Sequence, residues 1–317
     1  MNLGELFSMN HHQKKFNLVT ILGPTASGKT GIAANLAAGI GGEVISGDSR
    51  QVYRRMNLGT GKDYDDYRVN GIPVPYHLID IADPGEHYNV FRFRQDFLRV
   101  FSEIAARGHF PVLCGGSGLY IEAVLNDYQL IQVPPDHELR QALETRNLDE
   151  LTEILKDLKP SLHNITDIVN TRRAIRAIEI EKYYLSHPPG ETRQPEIFSL
   201  NIGIRYEVNT RRNRISERLE RRLSDGMIEE VEKLLVSGLK PEDLIYYGLE
   251  YKYLTLYITG AITRKQLHEQ LEIAIHQFAK RQMTWFRGME RRGTDIHWID
   301  GTLPMEEKIA FIMELLA

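Results

Sequence analysis

Short apolar runs alternating with helical periodicity set the outline of this chain. Leu18-Val19-Thr20-Ile21-Leu22 reads as a buried strand, after which Ile32, Ala33, Leu36, Ala37 and Ile40 recur at helical spacing. Gly42-Glu43-Val44-Ile45-Ser46-Gly47-Asp48-Ser49 is a second short strand that ends in small and polar residues, and His77-Leu78-Ile79-Asp80-Ile81 a short third. Asn89 to Arg107 is an amphipathic helix with Phe91, Phe93, Phe97, Val100, Phe101, Ile104 and Ala105 as its apolar set. Phe110-Pro111-Val112-Leu113-Cys114 follows as a further buried strand. Strand and helix in alternation imply an α/β fold with a parallel sheet flanked by helices.

The pattern changes at about Asn126. Val133-Pro134-Pro135-Asp136 breaks the chain, and residues 137–186 carry only helical patterns, over Leu139–Arg146, Leu148–Leu158 and Ile168–Tyr184. His187-Pro188-Pro189-Gly190 closes the block. Ser199-Leu200-Asn201-Ile202-Gly203-Ile204 then returns to the sheet, followed by helices over Asn209–Leu223, Met227–Ser237 and Arg264–Trp285. The organisation expected is a discontinuous core, 17–125 and 198–317, with an all-helical insertion over 126–197. Residues 1–16 read as a loose tail.

Composition adds constraints. The 317 residues are 42% hydrophobic and 26% charged, enough to bury a real core. One cysteine, Cys114, excludes an internal disulfide and a Cys-rich zinc site, and its apolar run makes it a small buried hydrophobe. No apolar run is long enough to span a membrane and the polar start lacks a signal-peptide core, so a cytoplasmic location is expected. The net charge of −4 argues mildly against a dedicated nucleic-acid binder, yet the arginines are clustered. Arg205 to Arg222 holds seven, and Thr171 to Arg176 holds three. Such patches bind phosphate backbones locally even when total charge does not.

The chemistry starts at Gly23-Pro24-Thr25-Ala26-Ser27-Gly28-Lys29-Thr30, which fits G-x-x-x-x-G-K-[ST] at every fixed position. It lies between a strand and a helix, the context in which backbone N–H groups and the helix N-terminus cradle an anion. Lys29 is then placed to reach the outer phosphate and the Thr30 hydroxyl to ligate Mg²⁺. The fold expected is therefore P-loop NTPase-like. Asp48 lies at the carboxyl end of the second strand, at the sheet edge where ligands of such folds bind; it could alternatively cap a helix through Gln51-Val52-Tyr53. Gly115-Gly116 stands where an ordinary P-loop ATPase has a metal-holding Asp, which argues against an ordinary NTPase. Arg214, Arg218, Arg221 and Arg222 repeat at three and four along one helix, suited to offsetting charge on a departing diphosphate.

These stretches together resemble the tRNA dimethylallyltransferase (isopentenyltransferase) family over roughly residues 17 to 300. They are GPTASGKT at 23–30, DSRQVYRRMNLGTGK at 48–62, HLID at 77–80, GGSGLY at 115–120, RRAIRAIE at 172–179 and AKRQMTWFR at 279–287. The resemblance implies transfer of a dimethylallyl group from dimethylallyl diphosphate to the exocyclic amine of the adenosine 3′-adjacent to the anticodon. Gly23 to Thr30 would hold the diphosphate, with Lys29 on it and Thr30 on Mg²⁺. Asp48 would be general base, and Arg218 would stabilise the leaving diphosphate. Asp48, Ser49, Arg50, Gln51, Ser117, Asp136, Arg172, Arg173 and Arg176 fall where the family contacts tRNA. The insertion would grip the anticodon stem-loop, with the base extruded into the cleft. Family members act as monomers.

Some positions depart from the family pattern. Ser117 replaces a usual Thr, Gly61 a frequent Ala, Arg54-Arg55 a common Lys-Gly, and Glu250 a basic residue that contacts RNA. Altered RNA contacts with retained chemistry are expected, and no C-terminal Cys/His zinc module is present. The competing readings are a small-molecule P-loop kinase, prenyl transfer to a free adenine nucleotide, and a non-enzymatic RNA-binding switch. The kinase leaves the insertion unexplained, the nucleotide reaction leaves Arg172–Arg176 unexplained, and the switch leaves Asp48 without a role.

Overall fold

The structure, a computed structural model, describes residues 15–126, 130–159, 168–188 and 194–317. Residues 1–14 of the expected tail, and Pro189 and Gly190 of the expected turn, lie outside the described residues. The strands are β1 (Leu18–Leu22), β2 (Gly42–Ser46), β3 (Arg68–Val69), β4 (Ile72–Pro73), β5 (Tyr76–His77), β6 (Phe110–Gly115), β7 (Ser199–Arg205) and β8 (His297–Asp300). The helices are α1 (Lys29–Ile40), α2 (Val90–Ala106), α3 (Gly118–Leu125), α4 (His137–Glu144), α5 (Leu148–Leu158) and α6 (Thr171–Ser186). They continue with α7 (Val208–Ser224), α8 (Met227–Val236), α9 (Pro241–Tyr246), α10 (Leu249–Ile258), α11 (Arg264–Arg291) and α12 (Met305–Leu316). The chain divides into two compact units, Met1–Asp127 with Pro195–Ala317, and Tyr128–Gln194.

The first unit is built on one six-stranded sheet in the order β5-β2-β6-β1-β7-β8, with every neighbouring pair parallel. β1 is central: Val19 is in register with Val112 of β6 on one side and Leu200 of β7 on the other. Every residue of β1, β2 and β6 is buried. That explains why these runs are continuously apolar instead of alternating, since parallel sheets are covered on both faces. Val19, Ile21, Val44, Val112 and Ile202 pack with Ile32 and Leu36 of α1 and Ile312 of α12. The alternate residues, Leu18, Leu22, Ile45 and Leu113, pack with α2, α7, α8, α10 and α11 through Phe93, Phe97, Ile215, Val231, Leu254 and Phe286. Because β1 is flanked by β6 on one side and β7 on the other, its carboxyl end opens at the crevice where open α/β sheets bind ligands.

The second unit is helical over its described residues and has its own small core of Leu143, Leu151, Leu155, Ala174, Ile175 and Ile178. Its polar centre is Glu179, which accepts from both arms of Arg140 (2.9 and 2.8 Å), from Arg176 and from the Asp136 N–H (2.6 Å). Asn147 and Glu150 form a reciprocal capping box that starts α5.

Three local expectations are corrected. The second strand ends at Ser46, and Gly47, Asp48 and Ser49 lie beyond it in the turn that follows. The third strand ends at His77, because Leu78 (φ 61°) and Asp80 (φ 56°) turn left-handed. The Asp80 carboxylate is drawn off the strand path by Lys62 Nζ (2.5 Å) and the Tyr64 hydroxyl (2.6 Å). No helix runs through Gln51-Val52-Tyr53; this segment is a series of turns. β8 and the β3–β4 pair are additions that the apolar pattern did not separate from their surroundings.

Candidate active site

The loop from Gly23 to Thr30 leaves the carboxyl end of β1 and enters α1. Its backbone is tightly constrained. Gly28 lies at φ +72°, and Ala26, a residue with a Cβ, is held at φ 61°. A Cβ on Gly23 would come 2.8 Å from Ser27 Oγ and 3.0 Å from the Ile204 carbonyl. Two distant side chains fix the loop. Arg214 Nε of α7 donates to the Ala26 carbonyl (3.0 Å), and Gln282 Oε1 of α11 accepts the Thr25 N–H (2.9 Å). Gln282 Nε2 donates to the Gly116 carbonyl (2.9 Å), so one amide joins the first glycine loop to the second. The Lys29 ammonium reaches back toward the Pro24 carbonyl (3.4 Å). Burial pulls its pKa below the usual lysine value, against the opposing field of Cys114 and Asp48. Ser27 Oγ is buried without a hydrogen-bond partner among the described residues.

The second wall is backbone on backbone. A Cβ on Gly115 would lie 2.5 Å from the Gly47 carbonyl oxygen, and the Gly47 N–H donates to the Cys114 carbonyl (2.7 Å). Asp48 follows directly. Its Oδ1 accepts the Arg50 N–H (3.0 Å), an Asx turn in place of a helix cap, and Oδ2 takes no hydrogen bond among the described residues. The Ser49 N–H donates to Ser117 Oγ (3.0 Å), tying this turn to the glycine loop before α3. Cys114, at the end of β6, is buried, and burial pushes its thiol up to about 12.

Three arginines of α7 converge here, while Arg221 is exposed. Arg214 grips the loop as described. Arg218 Nη1 donates to the Thr25 hydroxyl (3.3 Å) and Nη2 to Asp63 Oδ2 (2.6 Å). Arg222 lies buried behind it. The structure thus brings Gly23 to Thr30, Asp48, Ser49, Ser117 and Arg218 together at one sheet edge.

The remaining RNA-contact candidates separate into two groups. Gln51 is used internally, accepting from Ser46 Oγ (2.9 Å) and donating to the Gly61 carbonyl (3.1 Å). Asp136 caps α4 through the Leu139 N–H (2.9 Å), and Arg176 is bound to Glu179 and to the Val133 carbonyl (2.9 Å). Arg50 lies with its guanidinium over the ring of Tyr246, 5.0 Å from the centroid. Arg172 and Arg173 are exposed and make no ion pair among the described residues. Glu250 lines a cavity with Arg218, Arg222, Thr25 and Ala26.

Sequence reasoning placed the arginine repeat here but missed Gln282 and Asp63, and it did not foresee that Arg214 holds the Ala26 carbonyl or that Arg222 is buried. A signal existed for Gln282: it falls among Ala279, Met283 and Phe286 on the buried face of α11, where an amide needs a partner. For Asp63 no local pattern marks the role, because its partners lie 155 and 159 positions away.

A glycine-bearing strand-to-helix loop at the carboxyl edge of a parallel sheet, with a lysine and an arginine directed at it, defines a P-loop fold. Within that class the chain belongs to the IPP transferase family, whose model matches residues 51–289. It is 59% identical over 303 residues to a tRNA dimethylallyltransferase 1 of Parabacteroides distasonis, covering 96% of this chain and 98% of that one. It is 58% identical over 301 residues to a tRNA dimethylallyltransferase 2 of Bacteroides fragilis, covering 95% and 98%. Among solved structures, the full-length tRNA isopentenylpyrophosphate transferase of Bacillus halodurans superposes with a TM-score of 0.69 at 34% identity, covering 95% of each chain. No helix of the described residues is long and apolar enough to cross a membrane.

Proposed function

We propose that this protein transfers a dimethylallyl group from dimethylallyl diphosphate to the exocyclic amine of the adenosine 3′-adjacent to the anticodon in tRNA. The observation that carries the reading is the meeting of Arg218, the P-loop and the open Oδ2 of Asp48 at one sheet edge. The diphosphate lies in the loop from Gly23 to Thr30, with Lys29 on its outer oxygens. The amine nitrogen attacks the first prenyl carbon and the carbon–oxygen bond to diphosphate breaks. Asp48 accepts the amine proton, and Arg218 offsets the charge growing on the leaving oxygens.

A divalent cation fits the residues present. Thr30 supplies a hydroxyl, and no group of three or more His, Cys, Asp or Glu among the described residues forms an all-protein cage. That donor set suits Mg²⁺, which takes one or two protein oxygens and completes its shell with water and phosphate. Bound there, the cation would neutralise part of the diphosphate charge. Arg172 and Arg173, exposed on a unit with its own core, supply cationic groups for the anticodon stem-loop. We further infer a cytoplasmic monomer, since the acceptor is tRNA and one chain carries every proposed role.

The test supplies the protein with Mg²⁺, labelled dimethylallyl diphosphate, and either unmodified tRNA or AMP. Label in tRNA alone is the expected result. Label in AMP moves the acceptor to free nucleotide, and no transfer with ATP-dependent phosphorylation of a small hydroxyl compound overturns the reading.

A further inference from the structure

The strongest feature not absorbed by this reading is a chain of alternating charges behind Arg218. Asp63, in the loop after Lys62, bridges two arginines one turn apart on α7. Its Oδ2 accepts from Arg218 Nη2 at 2.6 Å, and its Oδ1 faces Arg222 Nη2 at 3.6 Å. The Arg222 side chain is only 9% exposed, and among the described residues its Nη2 has no hydrogen bond within 3.5 Å. Glycine makes room for it: at Gly61 (φ +76°) a Cβ would fall 2.5 Å from Arg222 Nη2 and 3.1 Å from Arg218 Nη2. Beyond Arg222 lies Glu250, lining the same cavity as Arg218, Arg222 and the P-loop residues Thr25 and Ala26.

This arrangement has an energetic logic. Two guanidinium groups on adjacent helical turns repel, and an arginine left free would turn toward solvent and away from the loop. A carboxylate between them removes the repulsion and fixes the direction of the outer one. Arg218 is then bonded at Nη2 by Asp63 while Nη1 stays on the Thr25 hydroxyl, already facing the diphosphate position. The two arginines together with desolvation set the state of Asp63: burial raises its pKa, and Arg218 followed by Arg222 brings it below the usual aspartate value. Burial likewise pushes the Glu250 carboxyl up, with Arg222 as the strongest opposing charge.

We propose that Asp63, backed by Arg222 and Glu250, is a positioning residue for prenyl transfer that pre-orients Arg218 toward the leaving diphosphate. It touches neither substrate; it acts through Arg218. The inference rests on the transferase reading and adds to it Asp63, which no motif assigned, with a supporting part for Arg222 and Glu250.

The test is single-turnover and steady-state transfer with the full chain, Mg²⁺, dimethylallyl diphosphate and an unmodified tRNA. Asp63→Asn is expected to lower the transfer rate about 30-fold, equal to about 2 kcal/mol in the barrier. KM for tRNA should stay within about twofold and Asp63→Glu should recover most of the rate, since the effect is orientation of a charge and not RNA binding. In an Arg218→Ala background the Asn substitution should remove nothing further. Arg222→Met, which fills similar volume without the buried charge, should slow transfer about tenfold, and serves alone if the Asn variant does not fold. An unchanged rate in Asp63→Asn or in Arg222→Met overturns the proposal. So does an additive loss in the Arg218→Ala background, or a loss confined to KM for tRNA. A wild-type chain that transfers nothing to tRNA counts against the function instead, so the two failures are distinct.

Discussion

Replacing Glu43 by glutamine probes the far end of β2, the strand that leads into the Asp48 turn. Glu43 lies in β2, nearly buried, and its carboxylate gathers four contacts: Arg107 at 3.1 and 2.7 Å, His77 at 2.5 Å and His109 at 2.6 Å. Burial alone would raise its pKa, but the bonds from Arg107, His77 and His109 outweigh it and bring the carboxyl from 4.5 to about 2. A depression of that size corresponds to about 3 kcal/mol of folding stability. Arg107 and His109 are 45% and 47% exposed, so water takes up part of the loss. About 2 kcal/mol therefore remains. For a chain of this size that lowers Tm at pH 7 by roughly 5 °C. The carboxyl is depressed in the folded state, so its contribution is complete above about pH 4.5 and disappears as pH falls toward 2. Thermal melts of wild type and Glu43→Gln followed by circular dichroism from pH 7 to pH 2.5 should show the two curves converging below pH 4.5. A gap of constant size across that range, or none at pH 7, would refute the assignment of the stabilisation to this carboxylate.

Three further outcomes are expected. Asp48→Ala should abolish turnover while tRNA still binds in a filter or gel-shift assay; near-full activity would remove it as the base. Gly116→Ala places a Cβ 2.6 Å from Gln282 Nε2 and 3.5 Å from Lys29 Nζ, and should weaken diphosphate binding at least tenfold by calorimetry with Tm little changed. Cys114, buried with its thiol pushed up to about 12, should resist maleimide at pH 7.5 in the native protein and react at once in denaturant; rapid native labelling would contradict its burial.

What the sequence disclosed, and what it withheld, follows from distance along the chain. The glycine loop from Gly23 to Thr30 is contiguous, so its strand, turn and helix were legible together. The amphipathic stripe of Phe93, Phe97, Val100, Phe101 and Ile104 gave α2, although Ala105, at the end of the same pattern, turned out exposed. The third strand failed because Leu78 and Asp80 adopt left-handed backbone, a choice set by Lys62 and Tyr64 rather than by local propensity. β8 is four residues long and half buried, too short for alternation to mark it. The candidate site was read from its local motifs, while its long-range fasteners, Gln282 to Thr25 and Arg218 to Asp63, were silent because pairing across 257 and 155 positions leaves no periodic trace. The arginine repeat on α7 pointed to a shared face; only packing reveals that Arg221 is exposed while Arg222 is buried.

The amide of Gln282 has a consequence for the order in which the molecule comes into being. The glycine loop is synthesised well before α11, and the group that holds its Thr25 N–H is encoded 257 positions further on. β1 likewise waits for β6 and β7 before it has neighbours on both sides. A nascent or truncated chain lacking α11 would carry the complete phosphate-binding motif in its sequence without the clasp that shapes it. Competence at this edge would therefore arrive late in translation, and a fragment carrying the recognisable motif would give little measure of the finished protein.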